Sequence, residues 1–323
     1  MTDCAIGVDV GGTKALAVVL RDDGTVVDQL RSGTPHGRDS DPGARAAEVV
    51  ADQVLELSRR HGLDSRTVPI GLGLPGLVRR DGHLAFAPNL PSASGSDLGV
   101  LLGDALGRAS IVAENDVNCA AIAEHAWGAG RGVDDFVMVT LGTGIGGGVV
   151  ADGRLVRGRN GFAGEIGHMV VEARGVRCPC GARGCWERYA SGSGLQRLSR
   201  EAALDGRLPA LVTRVGDPER VTGEDVTAAA ADGLGEALAV VDRVGWWLAL
   251  GLANLIAILD AGCFVVGGGL SEVAGLVLPS ARTHLADLAE GYGARATVTI
   301  AQSAFGSLSG AVGAALVAFE RAP

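Results

Sequence analysis

The chain is short of positive charge. Its 28 lysines and arginines are outnumbered by 37 aspartates and glutamates, giving a formal net charge of −9. Without a basic stripe to neutralise backbone phosphates, no nucleic-acid partner is expected. The chain also lacks an uninterrupted apolar run of membrane length. The uncharged apolar stretch Val244–Leu259 falls short of the ~20 residues that a spanning helix needs, and it contains Asn254 and two glycines. It reads as a buried core helix leading into a strand, so no membrane partner is expected. No secretory leader precedes the first strand, and six cysteines in 323 residues do not make a small disulfide scaffold. The expected compartment is therefore the cytoplasm. Low-complexity tracts and long linkers are missing too. So is a Walker A motif, because Thr13-Lys14 lacks the required glycine spacing.

What is present is a globular composition, 47% hydrophobic and 20% charged. A chain of 323 residues is too long for one ordinary core and about right for two domains. The 51 glycines are about twice the average share, and many cluster after apolar runs.

One pattern occurs twice. Ala5–Val10 reads as a strand, Gly11-Gly12-Thr13-Lys14 as a turn, and Ala15–Leu20 and Val26–Leu30 as two further strands. In the middle, Phe136–Leu141 reads as a strand, 142–147 as a Gly-rich turn, and Gly148–Val150 and Arg154–Val156 as its continuation. Two such meanders imply two related domains with a boundary near 114–135. Around them, helices and strands alternate. Ala44–His61 carries an apolar stripe at helical spacing. Val68–Leu72 and Ser110–Ala113 read as strands, 117–127 and 236–259 as helices, and Cys263–Val266 as a strand ending in Gly267-Gly268-Gly269. The alternation indicates α/β domains with mixed sheets.

Glycine turns that follow strands leave N–H groups free for phosphate oxygens. Three are candidates: 11–14, 142–148 and 267–269. Asp9 ends the first strand beside one of them and is placed to hold a hydrated Mg²⁺, or else is a solvated strand-end carboxylate. Residues 142–147 also satisfy G-x-G-x-x-G. That match reads as a decoy, because strand rather than helix follows it. Farther on, His168, Cys178, Cys180 and Cys185 offer one imidazole and three thiolates at short spacing, a set that can close a tetrahedral zinc site. Four protein ligands leave no open position, so that zinc is expected to be structural. Glu165 and Glu187 bracket the cluster. Cys4, Cys119 and Cys263 lie alone in apolar segments and read as core fillers.

The motifs Asp9-Val10-Gly11-Gly12-Thr13-Lys14, Pro88-Asn89-Leu90, Glu114-Asn115-Asp116, the run 141–148, the run 164–168, the cysteine segment 178–187 and Gly267-Gly268-Gly269 occur in one order along nearly the whole chain. In this the chain resembles the ROK family (repressors, open reading frames and kinases), and within it most resembles the glucose-phosphorylating members. The resemblance implies an α/β, two-domain actin-like ATPase (sugar kinase/ribonuclease H-like) fold with an interdomain cleft. It implies a small domain of 1–114 plus 305–323, closed by a returning helix at 306–320, and a large domain of 115–304 with the zinc loop.

The implied activity is transfer of the γ-phosphate of ATP to the 6-hydroxyl of glucose, with Mg²⁺ and a structural Zn²⁺. Asp116 matches the general base; its bland alternative is an N-cap for the helix that follows. Gly76, Asn89, Asn115, Asp116, Glu165, His168 and Glu187 match sugar-binding positions, and the alternative for the two glutamates is support of the zinc ligands. Asp9, Gly11, Gly12, Thr13, Lys14, Gly142, Thr143, Gly144, Gly267, Gly268 and Gly269 match the nucleotide side. His168 would serve zinc with one ring nitrogen and sugar with the other.

The chain departs from the pattern at Ser92-Ala93-Ser94-Gly95-Ser96, where family glucokinases often continue with Gly-Trp. Another hexose or an N-acetylhexosamine is therefore an alternative substrate. A sugar-sensing regulator is a second class, disfavoured because the first strand leaves no room for a helix-turn-helix domain before it. A homodimer or homotetramer is the expected assembly.

Overall fold

The structure is a computed structural model that describes residues 3–34, 42–109, 111–269 and 271–320. The elements, in order, are β1 (Cys4–Val10), β2 (Lys14–Arg21), β3 (Val26–Gly33), α1 (Pro42–His61), β4 (Ile70–Leu74), β5 (Leu77–Val78), β6 (Leu84–Phe86), α2 (Leu98–Leu106), β7 (Val112–Asn115) and α3 (Asp116–Trp127). Then come β8 (Phe136–Leu141), β9 (Ile145–Ala151), β10 (Arg154–Leu155), α4 (Glu187–Ala190), α5 (Gly192–Leu204), α6 (Pro209–Val215), α7 (Gly223–Ala231), α8 (Gly235–Leu259), β11 (Cys263–Gly267), α9 (Ser271–Leu288), β12 (Thr299–Gln302) and α10 (Ser309–Glu320).

Two five-stranded sheets share one plan. Their orders are β3-β2-β1-β4-β7 and β10-β9-β8-β11-β12. In each, a meander occupies one side and parallel strands the other: β1, β4 and β7 run parallel, as do β8, β11 and β12. The mixed α/β architecture anticipated from the alternation is present, as is the repeated meander.

The chain divides into two compact units. One comprises Met1–Asp134, Gly148–Gly164 and Ser303–Pro323; the other comprises Asp135–Gly147 and Glu165–Gln302. The expected division at 114/115 placed α3 in the second domain, and the structure corrects this. Helix α3 packs on α10 within the first unit. A Cβ at Gly313 would overlap the carbonyl of Cys119, so α3 and α10 meet backbone to backbone. On the sheet below, Gly7 and Gly71 leave room for the carbonyls of Ala311 and Ala314. Helix α10 (SGAVGAALVAFE) has the small side chains that such an approach requires.

Period-two alternation sorts the faces of the first sheet. Ile6, Val8 and Val10 face a core shared with Ala46, Ala47, Val50, Val54 and Leu57 of α1. Ala5, with Leu16, Val18 and Leu20, packs with Ala123, Ala311, Val312 and Ala315. By the same alternation Gly7 and Asp9 lie on the α10 face.

In the second unit, Phe136–Val139 and Phe264–Val265 are fully buried. The apolar run 244–259 lies within α8, which packs against α7 and α9. By length and composition α8 could cross a membrane, but it is mostly buried within the fold.

Local physics explains the small differences from expectation. The strand expected at 68–72 runs instead over Ile70–Leu74. Pro69 has no N–H to donate, and its carbonyl accepts from Ile6 N at 2.9 Å to start the parallel ladder. The strand expected at 110–113 is observed at Val112–Asn115; Ser110 lies outside the described residues. The returning helix begins as a 3₁₀ turn at Gly306–Leu308 and becomes α-helical from Ser309.

Candidate active site

The candidate residues fall into two sets, one in each unit. In the first unit they gather at the carboxyl ends of the parallel strands, where open α/β sheets place ligands. Asp9 of β1 is level with Gly73 of β4, which is level with Glu114 of β7. Burial pushes the Asp9 carboxyl up to about 6, with the Lys14 ammonium pulling the other way. After β1, the turn is closed by Gly11 N donating to Lys14 O at 2.9 Å and by Thr34 Oγ1 donating to Gly11 O at 2.7 Å. Gly12 lies against the main-chain carbonyl of Asn89, which brings exposed Asn89 beside the turn. The loop after Asn89 closes on itself: Ser94 Oγ accepts from Ala87 N at 2.7 Å, and Ser96 Oγ donates to Ala93 O at 2.6 Å.

Helix α3 starts from this sheet edge. Its N-cap is Asn115, whose Oδ1 accepts from Val117 N and Asn118 N at 2.9 Å each. Asp116 is therefore the first helical residue and not the cap, which corrects the bland alternative for it. Its Oδ1 also accepts from Val117 N at 2.9 Å. Asn115 Nδ2 donates to Gly76 O at 3.0 Å, so these two residues are brought together.

Behind them lies a network that sequence reasoning missed. Glu114 is 7% exposed and accepts from Asn115 N and Asn118 Nδ2 at 3.0 Å each and from Arg157 Nε at 2.6 Å. It fixes the strand-to-helix junction that presents Asn115 and Asp116. Arg157, a lone arginine in a loop, carries no sequence signal for this pairing.

In the second unit the loop 165–187 behaves as a small folded knot. Cys178 N donates to Ala182 O at 2.9 Å and Gly181 N to Cys178 O at 3.0 Å, closing a tight turn at Gly181, whose φ of +97° favours glycine. Trp186 is fully buried and its Nε1 donates to Trp247 O of α8 at 2.7 Å. This single side chain anchors both Cys185 and Glu187, its two neighbours.

The four expected zinc ligands converge. Their ligand atoms all lie within 4.8 Å of one another. Cys180 Sγ and Cys185 Sγ are 3.6 Å apart, and Cys178 Sγ is 3.9 Å from His168 Nδ1. Zinc bond lengths at tetrahedral angles require about 3.8 Å between sulfurs and about 3.6 Å between sulfur and nitrogen. The donor set and spacing fit a closed structural zinc, with Nδ1 as the histidine ligand.

His168 Nε2 points away from the sulfurs, 3.9 Å from Glu165 Oε2. Burial pushes the Glu165 carboxyl up, with His168 opposing and Glu187 adding to it. Glu187 Oε1 accepts from Cys178 Sγ at 3.0 Å and lies 3.8 Å from His168 Nδ1. Its other oxygen occupies the space that a Cβ at Gly144 would need. Glu187 thus joins the cysteine knot to the glycine turn 142–144.

That turn follows β8 and is held by Gly142 N donating to Gly144 O at 3.0 Å, while Ser191 Oγ lies 2.9 Å from Thr143 O. Strand β9 follows, not a helix, so the G-x-G-x-x-G match is a decoy as expected. Gly267 pairs with Thr140, which sets the turn 267–269 at the carboxyl end of β11 beside the end of β8. Gly268 lies against the main chain of Leu141, and Gly269 has open space around it.

The family profile that matches this chain is that of the ROK family, over residues 5–321. The chain belongs to the ROK family. It is 33% identical over 322 residues to a glucokinase from Streptomyces coelicolor, covering 98% of both chains. It is 33% identical over 277 residues to an N-acetyl-D-glucosamine kinase from Vibrio cholerae, covering 82% of this chain and 84% of the relative. The crystal structure of a ROK family glucokinase from Streptomyces griseus in complex with glucose and AMPPNP superposes with a TM-score of 0.84 at 33% identity, covering 98% of this chain and 99% of that one. The repeated sheet plan is accordingly the ROK sugar-kinase fold, of the actin-like ATPase type.

Proposed function

We propose that this ROK protein is a glucokinase, transferring the γ-phosphate of ATP to the 6-hydroxyl of glucose. The observation that carries the reading is the end-to-end similarity to the Streptomyces griseus glucokinase bound to glucose and AMPPNP. The site supports it: a carboxylate, Asp116, stands on the first turn of α3 with an amide, Asn115, beside it.

In this reading Asp116 accepts the proton of the sugar 6-hydroxyl while the new O–P bond forms and the bond to the leaving β-phosphate oxygen breaks. Positioning and charge neutralisation supply most of the rate in such transfers. Gly76, Asn89 and Asn115 in the first unit, and Glu165, His168 and Glu187 in the second, are assigned to sugar hydroxyls. Amides and carboxylates suit that task because each can satisfy several hydroxyls, and an analogue lacking one leaves them unpaired. The turns 11–14, 142–144 and 267–269 are assigned to phosphates and adenosine. Bound Mg²⁺ would neutralise the phosphates, with Asp9 as its carboxylate through water. His168, Cys178, Cys180 and Cys185 would hold the structural zinc.

An N-acetylhexosamine kinase is the second reading, favoured by the Vibrio cholerae relative and by the serine-rich loop 92–96. An ADP-release assay with Mg–ATP and a panel of glucose, mannose, fructose and N-acetylated hexosamines tests both. Glucose is expected to give the highest kcat/KM. A higher value for an N-acetylated sugar selects the second reading, and DNA binding without turnover refutes both.

A further inference from the structure

Among the described residues, the most completely buried carboxylate outside the assigned site is Glu124, on the last turns of α3, with none of its surface exposed. Its oxygens are filled by hydrogen-bond donors from the turn just after α3 and from the distant segment 303–309. Oε2 accepts from Ala129 N at 2.9 Å and Ala304 N at 3.0 Å. Oε1 accepts from Phe305 N at 3.1 Å and Ser303 Oγ at 2.6 Å, and Ser309 Oγ stands 3.0 Å away. Burial pushes this carboxyl up, but the bonds from Ser303, Ala129, Ala304 and Phe305 outweigh it and hold the group below the ordinary value. A carboxylate kept charged in a dry place by main-chain donors is costly to build. It ties those donors to one geometry.

That geometry reaches the phosphate side. Ser309 is the first residue of α10, and Gly310 follows it. A Cβ at Gly310 would lie 2.9 Å from the Asp9 Oδ2 oxygen, so the first turn of α10 is in contact with the Asp9 carboxylate. The sequence Glu124, Ser309, Gly310, Asp9 is therefore contiguous, and all four belong to the first unit.

We propose that Glu124 is a positioning residue for the nucleotide side of the reaction: by seating the start of α10, it sets where the Asp9 carboxylate stands. The inference rests on the glucokinase reading and adds a residue to it. Glu124→Gln is the informative variant. An amide has one acceptor end, so it satisfies either the Ala129 and Ala304 N–H pair or Phe305 N–H, and turns a donor toward the other. Main-chain N–H groups cannot rotate to compensate.

The test compares wild type, Glu124→Gln and Gly310→Ala by steady-state kinetics, with glucose affinity measured separately by calorimetry without nucleotide. For Glu124→Gln the expected result is a KM for Mg–ATP raised about fivefold or more and kcat lowered about tenfold, with glucose Kd within about twofold of wild type. Gly310→Ala, which presses a methyl against Asp9 directly, is expected to give the same split. If Glu124→Gln does not fold, Ser309→Ala, which removes the α10 hydroxyl that bonds Glu124 Oε1, takes its place, and the same split is expected. Unchanged nucleotide parameters in a folded variant overturn the inference, as do nucleotide and glucose affinities that weaken in parallel. A wild-type enzyme that does not phosphorylate any hexose refutes the functional reading instead.

Discussion

Trp186 and Gly251 form a pair whose coupling can be worked out from the structure. The indole of Trp186 lies on Gly251 of α8 so closely that a Cβ there would overlap its ring carbons. Trp186→Phe removes part of that ring and the bond from Nε1 to Trp247 O. A cavity of roughly 40 Å³ at about 24 cal/mol per Å³ costs about 1 kcal/mol. The lost hydrogen bond costs about 1 kcal/mol more, since Trp247 O sits in the interior of α8 and keeps its helical partner. A loss near 2 kcal/mol in a unit of about 150 residues lowers Tm by roughly 4–8 °C.

Gly251→Ala alone overpacks the same space, costing about 1–3 kcal/mol, against which the gain in helix propensity of about 1 kcal/mol works. In the double variant the methyl enters the volume that the smaller ring vacates. The double variant is expected to be more stable than the sum of the singles by about 1–2 kcal/mol. Differential scanning calorimetry on the four proteins measures the cycle. Zinc content by elemental analysis follows the consequence for Cys185, which adjoins the anchor. Additive singles, within about 0.3 kcal/mol, would refute the packing argument.

Three other predictions concern charge and chemistry. Asp9→Asn should stabilise the ligand-free protein while abolishing turnover. Folded Asp9 keeps its proton up to about pH 6, well above the unfolded carboxyl, so the folded state binds more protons in that window and stability falls as pH rises through it. The gain at pH 7.5 should reach at most about 3 kcal/mol and shrink toward pH 4.5; a destabilised Asp9→Asn at pH 7.5 contradicts the burial argument. Asp116→Ala should lower kcat by about 10³-fold or more while Tm and zinc content stay near wild type, and substantial residual turnover removes Asp116 from the role of base. Cys180→Ser should release zinc and weaken glucose affinity together, since His168 and Glu187 share the knot; full zinc occupancy by elemental analysis counts against the ligand assignment.

The parts of the fold that are legible from the sequence are those governed by neighbours. Alternating apolar residues and glycine turns mark both meanders, because strand periodicity and turn chemistry act over a few residues. The ligand cluster is legible for the same reason: Cys178, Cys180 and Cys185 lie in one short loop, and His168 is close upstream. The cap of α3 was less so. Asn115 and Asp116 are both good caps, and only the chain direction leaving β7 shows that Asn115 takes the role and leaves Asp116 on the first turn. The unit boundary was not legible. Helix α3 joins the first unit because Gly313 lets α10 touch its backbone, a contact between segments nearly two hundred positions apart.

By itself, the sequence determined the family, the repeated α/β plan, the glycine turns and the cysteine knot. Each of these depends on local residue types at short spacing. Tertiary structure decided which residues support them: Arg157 against Glu114, Trp186 against α8, and Glu124 under the start of α10. A buried charge or indole acquires its meaning from the donors or surfaces that folding brings to it, and nothing in the surrounding sequence specifies those partners.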